Sequence, residues 1–247
     1  MSSSLLPSTW QIPEKIRIRL GKRVGRQRPI FEEGHLLLVL HAPPKPDDPA
    51  RTGKYFWRNL DGQWASNGFG SGIQALGTHI DEYEDAVAQL DRLEEQATTA
   101  DQFFHILENL APVYRAARNM HQVLQDARKL CPDDPHILNM RDRAYAVERN
   151  AELLFEGAKN ALDFAVAKRA EDQALSSRNM ALAAHRLNIL AAFFFPIATL
   201  TTIFGVNLKH GYEEQFAPFL FVGTISVGLL LGLILTVFVT KRQPPIN

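Results

Sequence analysis

The sequence predicts an α+β membrane protein. It has a small N-terminal mixed α/β cytoplasmic domain and a long stalk helix that runs on into the first of two C-terminal transmembrane helices. Three observations carry this. Segments 187–204 and 216–240 are apolar and hold no charged residue. Between Pro135 and Pro196 there is no clear helix breaker. The first seventy residues alternate and turn like short strands. The expected domains are 1–130 (cytoplasmic α/β), 131–186 (stalk) and 187–247 (membrane), with spans at about 187–204 and 216–240.

At the N-terminus, Ile16, Ile18 and Leu20 alternate with Lys15, Arg17 and Arg19, the period of a half-buried strand. Residues 35–40 form an apolar run that stops at Ala42-Pro43-Pro44-Lys45-Pro46, which is loop chemistry. Residues 55–59 and 63–65 flank Asp61-Gly62, a hairpin-turn signal. The expectation is a sheet of three or four strands, closed by Gly68-Phe69-Gly70-Ser71-Gly72 before the pattern turns helical.

One helix is expected over 74–96, acidic on one side, and another over 101–130 with Asp101 as its N-cap. Cys131-Pro132-Asp133-Asp134-Pro135 ends the second helix, and Asp134-Pro135 reads as N-cap and first-turn proline of the next. That helix, 135–204, would extend about 105 Å at about 1.5 Å per residue. Its seam steps by four and three through Met140, Ala144, Val147, Ala151, Leu154, Ala158, Ala161 and Ala165, a coiled-coil period rich in alanine. So long a helix needs a bundle or copies of itself to cover it. Roughly 20 apolar residues cross the ~30 Å hydrocarbon core as a helix, which makes the two terminal segments a transmembrane hairpin.

Lys plus Arg and Asp plus Glu each number 27, so the net charge of zero offers no case for a nucleic-acid partner. With Cys131 as the single cysteine, no intramolecular disulfide or cysteine metal cluster can form. The start, Met-Ser-Ser-Ser-Leu-Leu-Pro, does not read as a signal peptide. Arg178 and Arg186 precede the first span and Lys241 and Arg242 follow the second, while Lys209 faces Glu213 and Glu214 in the connecting bridge. This places both termini in the cytoplasm. There is no phosphate loop, nucleophile elbow or zinc-protease histidine spacing, so an enzyme and a bound cofactor are not expected.

Within the first span, Pro196 is followed by Thr199, Thr201 and Thr202. Membrane threonines either bond back to the helix or offer a polar lining. Helical steps back from Thr202 place Thr199 or Ala198, Phe195, Ala191, Asn188 or Leu187, and Ala184 on one face. Several copies around an axis could enclose a channel with that face. The spans hold no ionisable side chain, which argues against a proton relay or charge-paired carrier. Outside the membrane, Asp81, Glu82, Glu84, Asp85, Asp91, Glu94 and Glu95 read as a solvated face or a cation sensor. The run Lys15, Arg17, Arg19, Lys22, Arg23, Arg26, Arg28 reads as exposed charge or an anionic-surface contact.

The stretch Arg186-Leu187-Asn188-Ile189-Leu190-Ala191-Ala192-Phe193-Phe194-Phe195-Pro196, continued by Thr199-Leu200-Thr201-Thr202-Ile203-Phe204-Gly205-Val206-Asn207, resembles the CorA family of magnesium channels. In that family the first of two C-terminal spans carries a proline, then small and threonine residues, and ends in Tyr/Phe-Gly-Met-Asn; basic residues close the second span. The resemblance covers 178–242 in detail and the upstream region in architecture only. Two positions depart from the pattern: Val206 stands where the family has methionine, and Ala198 where it has threonine.

The resemblance implies a homo-oligomer, pentameric, in a bacterial inner membrane, with the first span lining a passive Mg2+ pore. Gly205, Val206 and Asn207 would form the pore mouth, with Asn207 holding the ion through its waters. Leu187, Asn188, Phe195, Thr199 and Thr202 would line or gate the pore. Glu213 and Glu214 would concentrate cations, and Mg2+ would be both transported and regulatory. The alternatives are a non-conducting membrane scaffold or sensor on the same fold, or a carrier of another divalent ion such as Zn2+ or Co2+.

Overall fold

Leu36 through Leu40 are all fully buried, a run without the alternation of a one-sided strand. A strand can hide consecutive side chains only if both faces of its sheet are covered. In the computed structural model, which describes residues 5–21, 23–45, 51–68, 70–205 and 213–241, that strand lies inside a four-stranded antiparallel sheet. The strands β1 (Arg28–Glu32), β2 (His35–His41), β3 (Gly53–Arg58) and β4 (Trp64–Ser66) lie in chain order. The register pairs Leu37 with Ile30 and Leu38 with Phe56. One face presents Leu36, Leu38, Leu40 and Phe56 to the long helices. The other presents Ile30, Leu37, Val39 and Tyr55 to Leu6, Trp10, Ile12, Ile16 and Leu20. Between β1 and β2 the two loop residues Glu33 and Gly34 have φ of 52° and 79°, the doubly left-handed loop that matches strand twist. Asp61-Gly62 turns the β3–β4 hairpin, as its sequence predicts.

The alternating segment at the N-terminus is a helix, not a strand: α1 spans Glu14–Leu20. Ile16 and Leu20, four apart, are buried, while Ile18 is 71% exposed. Over seven residues an apolar pair four apart satisfies both periods, so alternation alone cannot separate them. The first strand lies instead at Arg28–Glu32, where the basic run and Pro29 disguise it. β1 is an edge strand, and proline is tolerated there because its missing N–H costs no ladder bond.

Three helices follow: α2 (Gly72–Gln96), α3 (Ala100–Leu130) and α4 (Pro135–Gly205). The N-cap of α3 is Thr99 rather than Asp101, through a capping box with Gln102. A residue with Gln three positions on satisfies two orphan amides reciprocally, which a first-turn aspartate cannot. Asp134 caps α4 as expected, its Oδ1 accepting from the amides of His136 (2.9 Å) and Ile137 (3.4 Å). Ala144, Val147, Ala151 and Leu154 of the predicted seam are buried in a core shared with α2, α3 and the sheet, and Ala158 is buried as well.

The chain divides into two compact units after Ala167. In the second, the C-terminal part of α4 and the helix α5 (Glu213–Lys241) each hold a stretch long and apolar enough to cross a membrane. α5 begins before the expected span: Glu213, Glu214 and Gln215 form its first turn rather than part of a bridge, and Gly205 is the last residue of α4.

Candidate functional site

α4 remains one helix through Pro196. At about 100° per residue, Leu187, Asn188, Ala191, Phe195, Thr199 and Thr202 fall within a sector of about 120°. Phe193, Ile197 and Leu200 fall on the opposite side, and they meet α5. A Cβ built on Gly232 would stand 2.6 Å from the Phe193 carbonyl oxygen, and one on Gly228 3.3 Å from the Ile197 Cα. The two helices therefore touch through glycines four apart, the small-residue pattern that lets membrane helices approach backbone to backbone. The stretch Gly228-Leu229-Leu230-Leu231-Gly232 carries this spacing inside the apolar run.

Because α5 occupies one side, the other is open. Leu187 is 66% and Phe195 72% exposed, and Asn188, Thr199 and Thr202 are exposed as well. The geometry brings these five expected site residues onto one uncovered face of α4.

The threonines bond back to their own helix. Thr199 Oγ1 donates to the Phe195 carbonyl at 2.8 Å, Thr201 to Ile197 at 2.9 Å and Thr202 to Ala198 at 2.7 Å. Each hydroxyl has a single proton. Spent on a carbonyl, it leaves only acceptor lone pairs for whatever approaches from outside. Pro196 supplies no N–H to the Ala192 carbonyl, so this turn of α4 is rich in acceptors on both backbone and side chains.

Gly205 ends α4; Val206 and Asn207 lie outside the described residues. Glu213 and Glu214 sit in the first turn of α5.

In the first unit, three of the seven acidic residues of α2 are paired. Arg143 pairs with Asp81 and, at 3.0 Å, with Glu84, and Lys54 Nζ stands 3.7 Å from Glu82. Among the described residues no group of three His, Cys, Asp or Glu side chains could hold a metal ion. Four of the seven residues of the basic run are tied to the fold: Lys15 pairs with Glu33 at 2.9 Å, Arg19 with Glu32, and Arg17 donates to the Trp10 carbonyl at 2.7 Å. Arg28 donates to the carbonyls of Leu20, Val24 and Arg26. These residues hold α1 and its loop on the sheet.

Residues 67–242 match the family described as CorA-like Mg2+ transporter protein. No curated protein matches the sequence. Among solved structures, the full-length CmaX protein shares the fold at a TM-score of 0.51 and 16% identity, over 92% of this chain and 83% of that one. The CorA magnesium transporter from Methanocaldococcus jannaschii aligns at a TM-score of 0.44 and 14% identity, over 94% of this chain and 85% of that one.

Proposed function

This chain belongs to the CorA-like Mg2+ transporter family, and from that premise we propose that it is one subunit of a homo-oligomeric, pentameric channel for divalent cations, Mg2+ foremost. The first membrane span, the C-terminal part of α4, lines the pore. Both termini are cytoplasmic and the membrane is the bacterial inner membrane. The observation that supports this best is the open face of α4. It is directed away from α5, and its Thr199 and Thr202 hydroxyls are already committed as donors to backbone carbonyls.

Mg2+ dehydrates reluctantly and usually keeps several waters. Those waters turn their hydrogens outward, so a hydrated ion is met best by acceptors. Thr199, Thr202 and the Asn188 amide oxygen provide acceptors without charge. They bind weakly enough for the ion to move on. Phe195 and Leu187 form apolar constrictions that close the path by excluding water. Gly205, Val206 and Asn207 form the mouth, with Asn207 meeting the hydrated ion and Glu213 and Glu214 raising the local cation concentration. Transport is passive, since neither span carries an ionisable side chain for proton coupling.

Val206 and Ala198 depart from the family pattern, which favours a second reading, a membrane-anchored scaffold or sensor that does not conduct. Flux into liposomes from the reconstituted full-length protein decides between them. Mg2+ entry that falls at least about tenfold in Thr202→Leu and Asn207→Ala, a loss of about 1.4 kcal/mol in barrier terms, supports the channel. A folded oligomer that passes no divalent cation favours the scaffold. Zn2+ or Co2+ flux without Mg2+ flux changes the ion and keeps the channel.

A further inference from the structure

A recess lies in the first unit, where the end of β2 and the residues just after it face α3. It encloses about 310 Å3, within the size of small-molecule sites. Its rim carries Lys45, Arg51 and Arg115, and no carboxylate is among the described residues that line it. None of the three cations makes an ion pair with a described residue. Arg115 Nε donates only to the Ala111 carbonyl of its own helix.

The floor is polar and buried. Gln27 is 8% exposed, and its Nε2 donates to the Ala116 carbonyl at 2.9 Å. That bond fixes the amide with its Oε1 as an acceptor, and this oxygen is buried with no hydrogen-bond partner. Leaving a buried acceptor unpaired is costly, so a ligand that donates to it recovers that loss. Beside it His41, buried, has Nε2 2.9 Å from the Gly25 carbonyl. Burial, with Arg51 and Arg28 nearby, pushes His41 below its ordinary value, so it stays neutral near pH 7. Pro44 and Pro112 supply apolar wall.

We infer that this recess is a binding site for an organic phosphate: a dianionic phosphate held by Lys45, Arg51 and Arg115, on a body that donates an O–H or N–H to Gln27 Oε1. A nucleoside monophosphate has this chemistry and this size. Phosphate is matched by guanidinium forks more than by point charges, which assigns the leading part to Arg51 and Arg115. The occupant would tie Lys45, after β2, and Arg51, before β3, to α3.

The test is calorimetric titration of the full-length protein in detergent with AMP, with inorganic phosphate and with sodium sulfate. AMP should bind saturably and more tightly than either inorganic anion, because only AMP carries, beside its phosphate, a body whose O–H or N–H can donate to Gln27 while the phosphate meets the cations. The double variant R51Q/R115Q, whose two exposed side chains leave the core untouched, should weaken AMP at least about tenfold, or about 1.4 kcal/mol, with an unchanged circular dichroism spectrum. Unaltered AMP affinity in that variant would overturn the site, as would no binding by the wild type at millimolar AMP. Equal affinity for AMP and sulfate would reduce it to general anion attraction and overturn the organic-phosphate assignment. Displacement of AMP by lower concentrations of phosphatidate in mixed micelles would assign the phosphate to a lipid and overturn the soluble source.

Discussion

Asp134 accepts a hydrogen bond from Arg58 Nε at 2.7 Å through Oδ2, while its Oδ1 caps α4 through the His136 amide. One carboxylate thus joins β3 to the first turn of the long helix, and Trp64 Nε1 adds a weaker bond at 3.4 Å. Only 4% of the Asp134 side chain is exposed, against 21% for Arg58. A buried carboxylate of this kind is stable only while its partners are in place.

Asp134→Ala removes the cap and strands Arg58, so it should destabilise the first unit by about 2–4 kcal/mol. Asp134→Asn keeps the cap and loses the charge, and should cost less. Thermal unfolding of the two variants checks the order. Burial alone raises the Asp134 carboxyl, but the bonds from Arg58, the His136 amide and Trp64 outweigh it and hold the group below its ordinary value. The stabilisation is therefore complete above the unfolded value of about 3.9 and is lost as pH falls through the lower folded value. Asp134→Asn should flatten that acid limb.

His79 is buried between Phe56 and Tyr83, and neither ring nitrogen has a hydrogen-bond partner. Burial, with Lys54 and His41 adding to it, lowers its pKa to about 3. The unfolded chain binds this proton near pH 6.5 and the folded one only near 3, so the contribution is full above about 6.5. Between those values stability should fall by up to about 1.4 kcal/mol per pH unit. His79→Phe should remove this dependence between pH 4 and 6, measured as the shift of the unfolding midpoint with pH.

Gly232→Ala should loosen the α4–α5 pair, because the new methyl would stand 2.6 Å from the Phe193 carbonyl and the helices must part. Gly223→Ala is the control, since nothing lies within 4 Å of its Cβ position. Overpacking typically costs about 1–3 kcal/mol. The thermal midpoint in detergent should drop for Gly232→Ala and hold for Gly223→Ala.

Phe195→Ala opens the bulkiest side chain of the exposed α4 face. On the pore reading it should raise Mg2+ flux several-fold in liposomes. Phe194→Ala, exposed but about 100° around the helix from Phe195, should leave flux near wild type. Equal behaviour of the two variants would place Phe195 in lipid rather than at a constriction.

What the sequence determined by itself were the features set by local chemistry. The Asp134-Pro135 start of α4, its seam through Ala144, Val147 and Ala151, the hairpin at Asp61-Gly62 and the two apolar segments depend on side-chain type and period within a few turns. The face of Leu187, Asn188, Phe195, Thr199 and Thr202 was legible for the same reason: one helix carries it all. Tertiary structure decided the rest. Whether 14–20 is strand or helix depends on Ile16 and Leu20 finding the sheet together, and no seven-residue pattern contains that partner. β1 is a strand because β2 offers it a ladder, despite its charges and Pro29. The openness of the α4 face rests on Gly228 and Gly232 drawing α5 to the opposite side. The cationic recess draws Gln27, Arg51 and Arg115 from separate parts of the chain, a convergence that exists only once the sheet has packed on α3.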